Sequence, residues 1–177
     1  QDAVLILGLG HDQAQKFIGS HVLFVSKETI KPEDLLLAYA LKKQGVLTSE
    51  QENIILNFFQ HLKDEGTIYY RPWMKKIRYV DTIGMVVPFL YACGWNDLAI
   101  RQIEEYDEAL LKGIYPAHAY DIERKLPMGV HDWCRGIGWY ILALTEAPIL
   151  RGNHSRIIKL ANAMLQYQHE DGSFSCF

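Results

Sequence analysis

The residues best suited to chemistry gather between Pro116 and Trp139. His118 and Asp121 fall in a polar loop, and His131-Asp132-Trp133-Cys134-Arg135-Gly136-Ile137-Gly138-Trp139 follows. A guanidinium is a planar, permanent cation suited to gripping a carboxylate. Two indoles beside it offer broad apolar faces. From Trp133 onward, Ile137, Tyr140, Ile141 and Leu144 recur at helical spacing. Arg135 and Trp139 are four apart and share a face, whereas Trp133 turns toward the opposite side at the helix mouth. Gly136 and Gly138 each cost about 1 kcal/mol relative to Ala inside a helix, so the stretch keeps room for something to approach the backbone. It reads as one wall of a binding site.

Asp81 opens the chain's most apolar helical segment, directly after an aromatic and basic arm. An Asp before a helix is most often an N-cap, and backbone N–H bonds then lower its pKa. An apolar wall does the reverse and raises it. The neighbouring candidates have plainer roles open to them. Asp121 can hold its own loop, Asp34 suits a helix's first turn, and a lone loop histidine is usually solvated. Arg135 can pair with Asp132 three residues earlier, and Trp139 can belong to the core. Cys134 would need a base beside it to act as a nucleophile, and the sequence does not place His131 there.

The elements that must position these groups are helices. Lys31-Pro32-Glu33-Asp34 starts one, with Pro and acids in the first turn, Leu35, Leu36, Leu37, Tyr39, Ala40 and Leu41 on its buried side, and Gly45 at its end. Thr48 and Gln51 form a capping-box pattern ahead of Ile54, Ile55, Phe58, Phe59 and Leu62. Residues 67–80 break the rhythm and suggest a loop or short extended arm. A buried helix then runs from Asp81 or Thr82 to about Ala92, kinked at Pro88. Gly94 closes it and Asn96 caps the next, striped by Ile100, Ile103, Tyr106 and Leu110. A helix over 132–147 and a last one from Asn153 to about His169 complete the series, and residues 14–25 are compatible with another. No stretch shows convincing strand alternation. Six or seven helices with alternately short and long connections predict an all-α antiparallel array.

At 177 residues, 49% hydrophobic and 12% aromatic, the chain reads as one domain with a substantial core. The net charge of −3, with Lys and Arg dispersed, argues against a nucleic-acid partner. No apolar run approaches the roughly 18–20 residues that span a bilayer, so no membrane partner is expected. Ala3–Gly10 is too short and lacks the basic start of a signal peptide. Cys93, Cys134 and Cys176 are far apart, odd in number and without metal-ligand spacing. They predict a reducing, cytoplasmic setting and no metal or other cofactor. The opening Gln1 and the stop just after a turn signal at Asp171-Gly172 suggest that both ends are cut.

Four segments, in order, resemble the unsaturated glucuronyl and rhamnogalacturonyl hydrolases of glycoside hydrolase families 88 and 105. Tyr79-Val80-Asp81-Thr82-Ile83-Gly84-Met85-Val86-Val87-Pro88-Phe89-Leu90 is similar to the segment carrying their catalytic aspartate. His118-Ala119-Tyr120-Asp121 resembles their histidine loop, and Trp133-Cys134-Arg135-Gly136-Ile137-Gly138-Trp139 their Trp-small-Arg-small-x-small-Trp helix. Gln168-His169-Glu170-Asp171-Gly172-Ser173-Phe174 is similar to their Gln-x-x-Asp-Gly-aromatic turn. Together the segments cover about residues 34–177.

The resemblance implies an (α/α)6 barrel of twelve helices, of which this chain would hold about half. An incomplete ring leaves apolar helix faces exposed, so self-association through them is expected. The implied reaction is hydration of the C4–C5 double bond of a terminal 4,5-unsaturated uronic acid on an oligosaccharide, which frees the next sugar. Asp81 would be general acid and base, and the paired-carboxylate displacement of ordinary glycosidases is not needed. Arg135 would bind the substrate carboxylate, Trp133 and Trp139 would stack on sugar faces, and His118 would donate to substrate oxygens and bias the pKa of Asp81. Two departures stand out: Tyr70 occupies a position where the family often has His, and Cys134 replaces a Gly or Ala. The alternatives are a non-catalytic relative that binds sugar or a partner protein, and an (α/α)6 enzyme of different carbohydrate chemistry.

Overall fold

A computed structural model describes residues 12–13, 16, 30–59, 67–107, 115–130, 133–147 and 153–174. Six helices carry the fold: α1 (Pro32–Lys43), α2 (Ser49–Phe59), α3 (Val80–Ala92), α4 (Asn96–Asp107), α5 (Cys134–Glu146) and α6 (Asn153–Leu165). The all-α expectation holds for them. Apart from residue 16, the expected helix over 14–25 lies outside the described residues, as do the extension of α4 beyond 107, His131, Asp132 and Cys176.

Local chemistry fixes the helix starts. In α1, Pro32 stands in the first turn, and the Asp34 carboxylate reaches back to accept from the Lys31 N–H at 2.9 Å. Asp34 is thus a first-turn acid. At α2, the Thr48 N–H donates to Gln51 Oε1 at 3.0 Å and the Gln51 N–H to Thr48 Oγ1 at 3.2 Å, so the capping box is made in both directions. Between α3 and α4, Gly94 takes φ +79°, a left-handed residue that ends the helix. The Trp95 N–H then returns to the Leu90 carbonyl at 2.9 Å.

α3 is the hub. It packs most extensively on α5, then on α1 and α4, and α6 lies against α5. Val80, Ile83, Val86, Val87, Phe89 and Leu90 of α3 are all buried, which accounts for its apolar composition on every side. The helix runs on through Pro88, which has no N–H to offer the Gly84 carbonyl four residues back.

The sequence reading missed a small antiparallel sheet of order β1-β2-β3: β1 (Ile77–Tyr79), β2 (Ala119–Asp121) and β3 (Leu126–Met128). Its register pairs Tyr79 with Ala119 and Ala119 with Met128. Strands of three residues are too short to display a period of two, so alternation could not reveal them. Asp121 organises the β2–β3 turn, where its Oδ1 accepts the Glu123 and Arg124 N–H groups, each at 3.0 Å. The arm before β1 is anchored by a buried polar group. The Ile68 N–H donates to Gln102 Oε1 at 2.8 Å, and Arg78 Nε donates to Thr67 Oγ1 at 2.5 Å and Glu105 Oε2 at 3.1 Å.

Two helix ends also differ from expectation. α5 begins at Cys134 with Trp133 as its N-cap residue, and α6 ends at Leu165, before Gln168 bridges Phe174. In that last turn Gly172 adopts φ +82° and the Ser173 N–H donates to Asp171 Oδ1 at 2.9 Å. The Asp-Gly pair therefore makes the turn its residue types suggest.

Candidate active site

The sheet and three helices meet at the N-terminal end of α3. Tyr79, extended, is the N-cap residue there and makes no side-chain cap bond. Asp81 is the second helical residue and does not cap the helix. Its Oδ1 is buried without a hydrogen-bond partner, as is the Thr82 hydroxyl. Buried polar atoms nearly always find partners, so an orphan carboxyl oxygen marks this position as a candidate for a functional role. Burial pushes the Asp81 carboxyl above the ordinary aspartate range, and the nearby His118 and Arg135, with its own backbone N–H, partly offset that rise.

His118 reaches this point because its backbone is held on both sides. Its N–H donates to the Val130 carbonyl at 2.9 Å, and its own carbonyl accepts the Val80 N–H at 3.1 Å. The imidazole stands edge-on to two rings, Tyr79 at 5.3 Å and Trp133 at 4.7 Å between centroids. Gly129 passes close behind it at φ +78°, where a Cβ would lie 3.1 Å from the His118 Cβ. A side chain there would be strained by conformation and by contact together.

Trp133 is buried, and the Arg135 guanidinium lies over its ring at 4.4 Å from the centroid. This corrects the expectation that the two point to opposite sides. Trp133 stands at the cap, outside the helical screw, so the 3.6-residue period does not govern its direction. The room expected at Gly136 is filled by the protein itself, because a Cβ there would fall 2.8 Å from the Trp133 ring and 3.1 Å from Val80 Cγ1. At Gly138 the space is open. Trp139 is half-buried in the α3–α5 contact, one turn along α3 from Asp81, with its ring and backbone against Gly84.

The structure thus brings Asp81, His118, Trp133 and Arg135 to one junction, with Trp139 flanking it. Three participants were not foreseen. Tyr79 supplies a ring face, and Gly129 supplies clearance. Tyr106 donates its buried hydroxyl to the Ala117 carbonyl. Tyr106 was read as one member of the apolar stripe of α4; the signal passed over was its hydroxyl, which needs a partner when buried. Tyr70 also has a defined place. Its hydroxyl donates to Glu33 Oε1 at 2.7 Å, its ring lies edge-on to Tyr79 at 5.8 Å, and Arg71 covers its face at 3.7 Å while pairing with Glu33 at 2.5 Å. A hollow of about 360 Å³ lies at the other end of α3, lined by residues such as Trp95, Asp97 and Arg101. None of the expected site residues borders it.

No family model matches the sequence, and no curated protein matches it. Among solved structures, the fold is similar to that of a family 105 glycoside hydrolase from C. acetobutylicum, with TM-score 0.55 and 18% identity. The match covers 78% of this chain and 47% of that one, so the chain spans about half that protein's length. The two share an all-α helical architecture.

Proposed function

We propose that the chain belongs to a glycoside hydrolase that hydrates the C4–C5 double bond of a terminal 4,5-unsaturated uronic acid on an oligosaccharide, with Asp81 as general acid and base. The observation that carries this reading is the state of Asp81. Its carboxyl oxygen is buried and unpartnered, and burial raises its pKa beside one imidazole and one guanidinium. A carboxyl held toward its protonated form is the donor that an electron-rich alkene requires.

In this mechanism the Asp81 proton goes to C4 and leaves a cation at C5 stabilised by the ring oxygen. Water adds at C5 and returns a proton to the Asp81 carboxylate, which restores the acid. The resulting hemiketal opens and releases the next sugar. Arg135 binds the substrate carboxylate and His118 donates to substrate oxygens, with Trp133 beneath the guanidinium and Trp139 beside it forming the apolar wall. The charged groups acting on Asp81 are a histidine and an arginine, which suits a single-carboxyl mechanism better than a carboxylate pair. The similarity in fold to a family 105 glycoside hydrolase supports a carbohydrate-directed reading. A cytoplasmic setting is proposed from the free thiols of Cys93 and Cys134.

The test uses unsaturated uronyl disaccharides. Wild-type protein should remove the ultraviolet absorbance of the conjugated double bond, and Asp81→Asn should slow that loss by about a thousandfold or more. A folded wild-type chain that binds the sugar without consuming the double bond would leave only the binding reading.

A further inference from the structure

We propose that Tyr106 is a positioning residue for Asp81 and His118, with its hydroxyl fixing the peptide that carries His118 into place. The side chain is 1% exposed, and its hydroxyl donates to the carbonyl of Ala117, which is itself fully buried. The next residue is His118. Its carbonyl accepts from Val80, the residue before Asp81, and its N–H donates to Val130. The phenol from α4, the loop ahead of β2 and the first turn of α3 are therefore joined through one pair of consecutive carbonyls.

The electrostatics agree with this geometry. Burial, then the neighbouring Asp81 charge, pushes the Tyr106 phenol above its ordinary range, so it remains a proton donor at every working pH. The titratable and charged groups facing Asp81 are Tyr106 from α4, His118 from the loop and Arg135 from α5. With the hydroxyl removed, the Ala117 carbonyl is left buried without this donor, and its peptide can rotate toward another one. His118 would then leave the edges of Tyr79 and Trp133. Asp81 would lose the larger of the two charge influences that hold its pKa down.

The role in catalysis rests on the hydrolase reading, but the positioning can be measured without any substrate. The imidazole C–H resonances of His118 carry ring-current shifts from Tyr79 and Trp133, and the Asp81 carboxyl carbon can be titrated by NMR. In Tyr106→Phe the His118 shifts should collapse toward those of free histidine, and the Asp81 midpoint should rise by about half a pH unit or more. Tyr140→Phe is the control. It removes a neighbouring buried hydroxyl whose hydrogen-bond partners are Asp107 and Arg156 rather than the Ala117 carbonyl. It should leave both signals where they are. A folded Tyr106→Phe protein with unchanged signals overturns the proposal, and so does a Tyr140→Phe protein that moves them equally.

Should Tyr106→Phe not fold, the wild-type phenolic proton decides. Slow solvent exchange with a nuclear Overhauser effect to the His118 amide supports the tether, and rapid exchange overturns it. On unsaturated disaccharide, kcat of Tyr106→Phe should fall about tenfold with KM within about twofold. An inactive wild type that shows the expected NMR changes removes the hydrolase reading and leaves the positioning role standing.

Discussion

The His118 carbonyl accepts the Val80 N–H at 3.1 Å, which ties the imidazole loop to the residue immediately before Asp81. One backbone bond thus sets the relation between the imidazole loop and the buried carboxyl. It also explains why a sheet of nine residues exists in a helical fold. β1 leads straight into α3 and β2 leads straight out of His118, so pairing Tyr79 with Ala119 places Asp81 and His118 side by side. Loops alone would hold such a pair less rigidly than paired strands do.

The raised pKa of Asp81 has a consequence for stability. A carboxyl whose pKa is higher folded than unfolded contributes stability that is present below its unfolded pKa and lost as pH rises through the folded value. Asp81→Asn cannot ionise and escapes that loss. It should be more stable than wild type at pH 7 by on the order of 0.5–1 kcal/mol after allowance for solvent screening. Below about pH 3 the two should converge. Urea denaturation at both pH values measures the difference, and a variant equally or less stable at pH 7 would contradict the incompletely offset burial of this carboxyl.

Gly84 and Gly138 should respond to alanine in opposite directions. A Cβ at Gly84 would lie 2.7 Å from both Trp139 Cε3 and the Trp139 backbone oxygen, so α3 and α5 must separate to admit it. Such overpacking costs about 1–3 kcal/mol. At Gly138 a Cβ meets nothing within 4 Å, and the change should stabilise the helix by about 0.5–1 kcal/mol. Thermal melts of Gly84→Ala and Gly138→Ala check both signs, and Gly84→Ala should also shift the Trp139 fluorescence.

The helices were legible because their signals are local. Thr48 with Gln51, Pro32 with its acids, and the apolar run from Val80 to Leu90 each declare themselves within a few residues. The identities of Asp81, His118, Trp133 and Arg135 emerged from motif order, which carries type and sequence but no orientation. What stayed hidden depends on contact at a distance. The Trp133–Arg135 stack arises because Trp133 sits at a cap, where helical phase gives no guidance. The use of Gly136 depends on Val80, more than fifty positions away, and Tyr106 meets Ala117 only after α4 has docked. Tyr70 shows the same limit: the sequence marks it as a departure from the motifs it otherwise resembles, and only packing reveals its link to Glu33 and Arg71.

That Glu33–Arg71–Tyr70 group yields a pH signature opposite to that of Asp81. Burial raises the Glu33 pKa, but hydrogen bonds from Arg71 and Tyr70 outweigh it and bring the carboxyl below its ordinary value. A lowered folded pKa gives stability that is present above the unfolded pKa and lost as pH falls through the folded one. Glu33→Gln should therefore cost about 0.5–1 kcal/mol at pH 7, a discounted figure because the pair is partly solvated. The deficit should shrink steadily below about pH 4. Paired denaturation curves at neutral and acid pH test this, and a deficit independent of pH would assign the effect to shape alone.

Cys93 should be a slow thiol. Burial, reinforced by the carboxylate of Glu52, pushes its pKa up to about 12. The thiolate is the species that alkylates, and the fraction present at pH 8 falls by more than three orders of magnitude relative to an exposed cysteine. The higher intrinsic nucleophilicity of a more basic thiolate recovers part of that, leaving a net slowing of about a hundredfold. Timed iodoacetamide labelling with peptide mass spectrometry gives the rate for each site. Glu52→Gln should accelerate Cys93 labelling, since it removes the carboxylate charge while keeping the shape of the side chain. It also releases Lys42, which pairs with Glu52 at 2.5 Å and whose freed charge would further favour the thiolate. Labelling of Cys93 at the rate of a free thiol, unchanged by Glu52→Gln, would show that the turn after α3 opens far more readily than its packing on α1 and α4 implies.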